Sequence, residues 1–225
     1  MESEEMMKRC FRRAGKKYGY TDVNAEFVSF KDFKVRWQRS YRWADFKVSD
    51  YLEDAPEGVF DSLAESLFGR ICGENTGYSQ ELKSWVTRPG FVRDKQMIYV
   101  RRCRTILRTP AGDSRDLNES YRRLCDAGLL EYDPEIYLTW ARAIDDDPVG
   151  HCSVLMKFVS ISKILDSENV PEYVLDYCLY HELCHILLGF DPEGKMHSKK
   201  YSEIESRYPM MADALQYLRE EALEV

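Results

Sequence analysis

Apolar positions along the chain change period several times, and each change marks an element. Phe27, Phe30, Phe33, Val35 and Trp37, then Trp43, Phe46 and Val48, alternate with polar residues, which predicts a two-stranded hairpin within residues 26–48. Pro56 then opens a helix whose apolar residues recur every fourth position, Val59, Leu63, Leu67 and Ile71, and Gly73 stops it. A second helix is expected from Ser79 to Val86. Residues 91–107 carry a mixed pattern, and Met97-Ile98-Tyr99-Val100 fits a strand or a buried helix equally. Leu117 to Ala127 reads as a helix ended by Gly128.

Further on, Ile136, Leu138 and Trp140 alternate with Tyr137 and Thr139, and Leu155 to Ile161 is β-branched and apolar, so two strands are predicted there. Pro171 suits the first residue of a helix that runs to Leu188 and is closed by Gly189, and Ser198 and Pro209 open two more. Residues 1–20 read as a short basic helix or a frayed end. The order of elements is mixed, without a regular β-α alternation, which favours an α+β class over a doubly wound parallel sheet. The expected organisation is a basic segment at 1–20, a strand hairpin with helices at 21–115, and a C-terminal part at 116–225, the last two alternatively forming one continuous domain.

Composition supports a packed chain: 44% of the 225 residues are apolar and 13% aromatic. No apolar run approaches the ~18 residues of a membrane span, and the opening MESEEMMKRC has no apolar core of a signal peptide, so no membrane association and a cytoplasmic address are expected. Seven cysteines without a C-x-x-C pair argue against a disulfide framework or a zinc finger. The net charge of −7 comes entirely from residues 168–225, which hold twelve carboxylates against five Lys or Arg. The earlier part is balanced but uneven. Lys8–Lys17 has six basic residues and no acid, and Arg88–Arg108 has seven against Asp94. Both read first as solvated faces; at most they support weak, salt-sensitive contact with nucleic acid.

One constellation carries chemistry. His181-Glu182-Leu183-Cys184-His185 lies inside the helix predicted from Pro171, and four residues of helix put both imidazoles on one face, one turn apart. Such a pair can bite one zinc ion, while a catalytic zinc needs a third protein ligand and leaves its fourth position to water. Glu182 can reach that water as general base. Val174, Cys178 and Leu188 share the face and would floor the site. Any of these histidines alone would read as a surface or satisfied core residue; the spacing and the helical setting change that. The third ligand is expected after Gly189, from His197, with Glu193, Glu203 and Glu205 as rivals because some zincins take a carboxylate from a following helix. Ser198 reads as the N-cap beside His197.

Val149-Gly150-His151-Cys152-Ser153, Phe158 to Ser162, Leu165, the run Val170 to Ile186 with its HExxH, and Met196-His197-Ser198-Lys199-Lys200-Tyr201 together resemble the YgjP-like and SprT-like metallopeptidase group. The resemblance covers residues 132–217. Val35-Arg36, Arg39 to Arg42 and Ala55-Pro56 are similar, less specifically, to the N-terminal hairpin and helix of the YgjP-like branch. Departures are Tyr201 for the usual Phe, Ser202 for Trp and Met196 for Asn. The resemblance implies a zincin-like fold, a small antiparallel or mixed sheet packed on the active-site helix. It also implies a zinc peptidase with His181, His185 and His197 as metal ligands and Glu182 as base. Its substrate would be a peptide or protein, taken as an added strand beside Phe158 to Ser162. SprT-like relatives cleave proteins attached to DNA, which would require nucleic-acid contact. His151 reads as a turn residue or as lining the site. Two other functions fit the same residues: a zinc-stabilised binding or adaptor protein with an idle site, and a zinc hydrolase of a small amide.

Overall fold

A computed structural model describes residues 2–142, 148–191 and 198–225. The protein is α+β: among these residues there are eight α-helices and two three-stranded mixed sheets. The chain forms two compact units, Met1–Phe91 and Val92–Val225.

In the first unit, α1 (Glu2–Lys17) opens with Glu2, Glu4 and Glu5 and ends with Lys16 and Lys17, charges that complement the helix dipole at each end. It is a packed helix: Met7, Cys10, Phe11 and Ala14 are buried. The sheet runs β1 (Asp22–Val28), β2 (Val35–Arg39) and β3 (Trp43–Ser49) in the order β1-β3-β2. β2 and β3 form the predicted hairpin, and β1 adds parallel to β3 as a third strand. Alternation sets the inner face, where Val23, Ala25, Ala44, Phe46 and Val48 are buried. α1 packs on β1 and on α2 (Glu57–Ile71). Phe46 sits between Phe11 and Phe68, with ring centroids 4.9 and 5.1 Å away in edge-on contact, each such pair being worth roughly 0.5–1.5 kcal/mol beyond its buried area. α3 (Gln80–Val86) is capped by Ser79, whose hydroxyl accepts from Leu82 N at 3.2 Å. The ambiguous segment after it is helical, α4 (Pro89–Arg102), most of which belongs to the second unit.

In the second unit, α5 (Leu117–Asp126) starts at Asp116, which accepts from Asn118 N at 2.8 Å. The strands β4 (Tyr137–Ala141), β5 (Gly150–Ser153) and β6 (Phe158–Ser162) lie in the order β4-β6-β5, with β4 parallel and β5 antiparallel to β6. α6 (Glu172–Leu188) packs against β5, β6, α5, α7 (Lys199–Glu205) and α8 (Met211–Glu220). Every residue from Val174 to Cys184 is buried, and so is His185. α6 is therefore more than a helix with one apolar stripe: it is the centre of the unit, and its polar side chains need partners inside. Asp176 receives a two-pronged bond from Arg123 of α5, Nε and Nη2 at 2.9 and 2.7 Å.

Two expectations are corrected here. β6 is the central strand, paired on both sides, so its backbone groups are committed and an added peptide strand cannot join it. The edge beside α6 is β5. His151 lies in that strand and not in a turn.

Candidate metal and catalytic site

The rings of His181 and His185 stand with centroids 5.5 Å apart, crossed at 77°, and each residue is only 6% exposed. Nδ1 of His181 lies 2.6 Å from Oε1 of Glu205 on α7. That oxygen also accepts from the Tyr177 hydroxyl at 2.9 Å, and the Tyr201 hydroxyl donates to the His181 carbonyl at 3.1 Å. Tyr201 also stacks on His185, 4.5 Å between centroids at 27°. Helical spacing builds this arrangement from both sides. Tyr177 is one turn before His181 on α6, and Tyr201 and Glu205 are one turn apart on α7, so each pair shares a face. Ser198 fixes the start of α7 by accepting from Tyr201 N at 3.3 Å, the N-cap expected from the sequence. Burial, together with the charge of Glu205, pushes the Tyr177 and Tyr201 hydroxyls well above the usual phenol range, so both remain donors.

Glu182 points from the neighbouring face of α6 at the backbone of β5. A Cβ placed on Gly150 would collide with Glu182 Oε1 and lie 2.8 Å from its Cγ, so any other residue here requires the Glu182 side chain to shift. Burial raises the Glu182 pKa, while His181 and a hydrogen bond from the Cys152 thiol act against the rise. The Cys152 thiol is itself pushed above its ordinary value by burial and by Glu182, so it stays protonated and donates. A cation at the two histidines would lower the carboxyl again.

His197 and Glu193 lie outside the described residues. The other two rivals for third ligand separate cleanly. Glu203 is exposed and faces Lys199 at 3.9 Å, whereas Glu205 is turned onto His181. His151 is exposed on β5, its Nε2 3.2 Å from the Tyr99 hydroxyl. Sequence reasoning assigned no role in the site to Gly150, Cys152, Tyr177 or Tyr201. Gly150, Cys152 and Tyr201 stood within the segments that carry the resemblance, and the signal left by Tyr177 is its helical spacing from His181.

The donors suit zinc. Two imidazoles on one tetrahedral ion at ~2.0–2.1 Å would hold their centroids about 5 Å apart, as these nearly are. A carboxylate on Nδ1 fixes the tautomer with its lone pair at Nε2, as metal-binding histidines commonly require. A second group, Cys10, Glu57 and Asp61 in the first unit, has metal-ligand spacing but holds a guanidinium instead: Arg13 Nη2 reaches Cys10 Sγ at 3.8 Å, Glu57 Oε1 at 3.1 Å and Asp61. Burial, then Asp61, pushes the Cys10 thiol up to about 12, which disfavours the thiolate a metal would need.

Three of the six basic residues in Lys8–Lys17 are similarly engaged. Lys8 pairs with Glu4 and Glu5, Arg13 with Glu57 and Asp61, and Lys17 with Glu65. In the second basic segment Arg88 meets Asp54 at 3.1 Å and Arg93 meets Asp94 at 3.6 Å. No family model matches the chain, and neither a curated protein nor a solved structure matches it.

Proposed function

We propose that the protein is a zinc-dependent peptidase with a zincin-like site, similar to the YgjP-like and SprT-like group, in which His181, His185 and His197 hold the ion. The observation that carries this reading is the clamp on His181: a carboxylate on Nδ1, itself held by Tyr177, and the Tyr201 hydroxyl on the His181 carbonyl, beside a second imidazole one turn away. A core histidine with no further task does not need so many groups to set its orientation and tautomer.

Zinc, when bound, would supply the Lewis acidity that polarises a scissile carbonyl and lets water lose a proton at neutral pH. Glu182 receives that proton and passes it to the leaving nitrogen. Glu205 keeps the His181 ring in its ligating orientation, and Tyr201 packs the His185 ring against rotation. β5, the sheet edge that runs past Glu182, takes an extended peptide by strand addition, which brings a scissile amide alongside the carboxylate that would act on its attacking water and its leaving nitrogen. Among the described residues no helix is long and apolar enough to cross a membrane.

The test couples metal analysis of purified protein to cleavage of a peptide library and of an unfolded protein. One zinc per chain and cleavage abolished in Glu182→Gln with zinc retained is the expected result. Zinc without any cleavage would reassign the protein to a binding or adaptor role. Hydrolysis that does not depend on peptide length would reassign it to small amides.

A further inference from the structure

The tip of the β2–β3 hairpin is unlike the rest of the surface. Arg36-Trp37-Gln38-Arg39-Ser40-Tyr41-Arg42-Trp43 is an unbroken run of exposed residues with three arginines, three large aromatics and no acid. Trp37 is 47%, Tyr41 86% and Trp43 41% exposed. Exposed aromatics gathered in one short segment mark a contact surface, since folding leaves such surface in water only where something else takes it up.

Topology explains the exposure. β2 is an edge strand whose main packing partner is β3, while α1 lies on β1. Trp37 therefore points to the same side of the sheet as the buried Phe46 yet remains half in solvent. On the other side, the register places Arg36 opposite Lys47 and Gln38 opposite Asp45, with Trp43 next along the same face. Arg36, Gln38, Asp45 and Lys47 line a shallow cavity of about 470 Å³ there.

Charge identifies the partner. Residues 31–47 hold six Lys or Arg against Asp32 and Asp45, in a chain whose net charge is −7. The lysines are engaged: Lys31 and Lys34 each lie 3.5 Å from Asp32, and Lys47 lies 3.6 Å from Glu26. The arginines are not neutralised. Arg39 donates to the Tyr20 hydroxyl at 3.4 Å, and Arg36 and Arg42 lie 5.4 Å from the ring centres of Phe30 and Tyr41. Among the described residues none of the three has a carboxylate in ion-pair reach. Guanidinium groups without acids, interleaved with exposed rings, match the alternating phosphates and bases of a single strand, whose unpaired bases can stack where those of a duplex cannot.

We propose that the hairpin tip, Arg36–Trp43, binds single-stranded nucleic acid that crosses the β2 edge, its arginines on the phosphates and its rings, Trp37 on one face, Trp43 on the other and Tyr41 at the turn between them, stacking on bases. The site lies wholly in the first unit and does not rest on the peptidase reading.

The test is fluorescence anisotropy of the full chain with labelled oligo(dT), oligo(U) and a DNA duplex over a range of salt. Both single strands should bind in preference to the duplex, and the ratio between them shows whether DNA or RNA is the natural source. The log–log salt slope should be about −2, from three phosphate contacts at about −0.7 each, and R36Q/R39Q/R42Q should flatten it. Tyr41→Ala, at a side chain almost wholly in solvent, should weaken binding about five- to a hundredfold with an unchanged melting curve, so the test does not depend on the triple variant folding. Zinc content and peptide cleavage should be the same in both variants, which separates this outcome from the fate of the peptidase reading. Duplex bound as tightly as single strand, binding indifferent to Tyr41 and to the arginines, or no binding at low salt would each overturn the proposal. So would displacement by polyglutamate at matched charge, which would assign the tip to an acidic protein partner.

Discussion

Glu205 on α7 places Oε1 2.6 Å from Nδ1 of His181 on α6, and that single contact joins two helices to one imidazole. The carboxylate is not a surface acid that happens to be near: Tyr177 donates its hydroxyl to it at 2.9 Å, and the Tyr201 hydroxyl, which donates to the His181 carbonyl, lies 3.4 Å away. Its effect on a metal would pass through the ring, by fixing the tautomer and raising the basicity of the far nitrogen.

Replacing Glu205 by Gln or Ala should therefore lower zinc affinity about 10–100-fold while leaving Glu203→Ala, at an exposed residue, close to wild type. Competition with a chromogenic chelator measures both. Equal losses in the two variants would remove the positioning role of Glu205.

His185→Ala should abolish stoichiometric zinc and lower the melting temperature of the zinc-loaded protein, because a site absent from the unfolded chain couples binding to folding. His197→Ala should cost more zinc affinity than Glu203→Ala. A melting temperature that ignores chelator would argue against any structural zinc.

Glu182→Gln should keep zinc and fold but reduce kcat about 10²- to 10⁴-fold, since glutamine has the shape of the carboxylate without its basicity. Activity within a few-fold of wild type, at matched zinc content, would exclude Glu182 as the base.

Gly150→Ala should lower kcat as well, with zinc retained, because its methyl would meet Glu182 Oε1 and push the carboxylate off the β5 edge. If Gly150→Ala and wild type cleave equally, the close approach has no catalytic meaning.

Away from the site, the Asp166 side chain is wholly covered and accepts from the backbone N–H of Asp113, Ser114 and Arg115 at 2.6, 3.0 and 2.9 Å. Burial alone would raise its pKa, but the three N–H groups and Lys163 outweigh burial and depress it. A depressed carboxyl contributes stability that is full above its unfolded value of about 3.9 and is lost as pH falls through the folded value. Asp166→Asn should therefore lower stability at neutral pH and remove part of the acid-induced loss below about pH 4. Parallel urea titrations in the two pH ranges measure this.

Local elements and the chemistry of one helix are legible in the residues alone. The period of four between Pro56 and Gly73, and the Pro171 and Gly189 that bound the later helix, are short-range properties set by side-chain spacing and by the residues at the ends, and α2 and α6 follow them. The same logic put His181 and His185 on one face. What lies across from those residues is a matter of packing. Glu205 was visible only as one of several acids after Gly189, because nothing local says which turn of α7 meets α6; packing selected it over Glu203. Phe158 to Ser162 reads as a strand from its own residues, but whether a strand is an edge or a centre depends on its neighbours, and pairing with β4 and β5 made β6 the centre and left β5 beside Glu182. Trp37 shows the same limit in reverse. Its alternation reads as core, yet it stands half in solvent because β2 closes the sheet and the helix that covers β1 lies two strands away. Period reports which side of a strand a residue occupies; only the assembled layers determine whether anything covers that side.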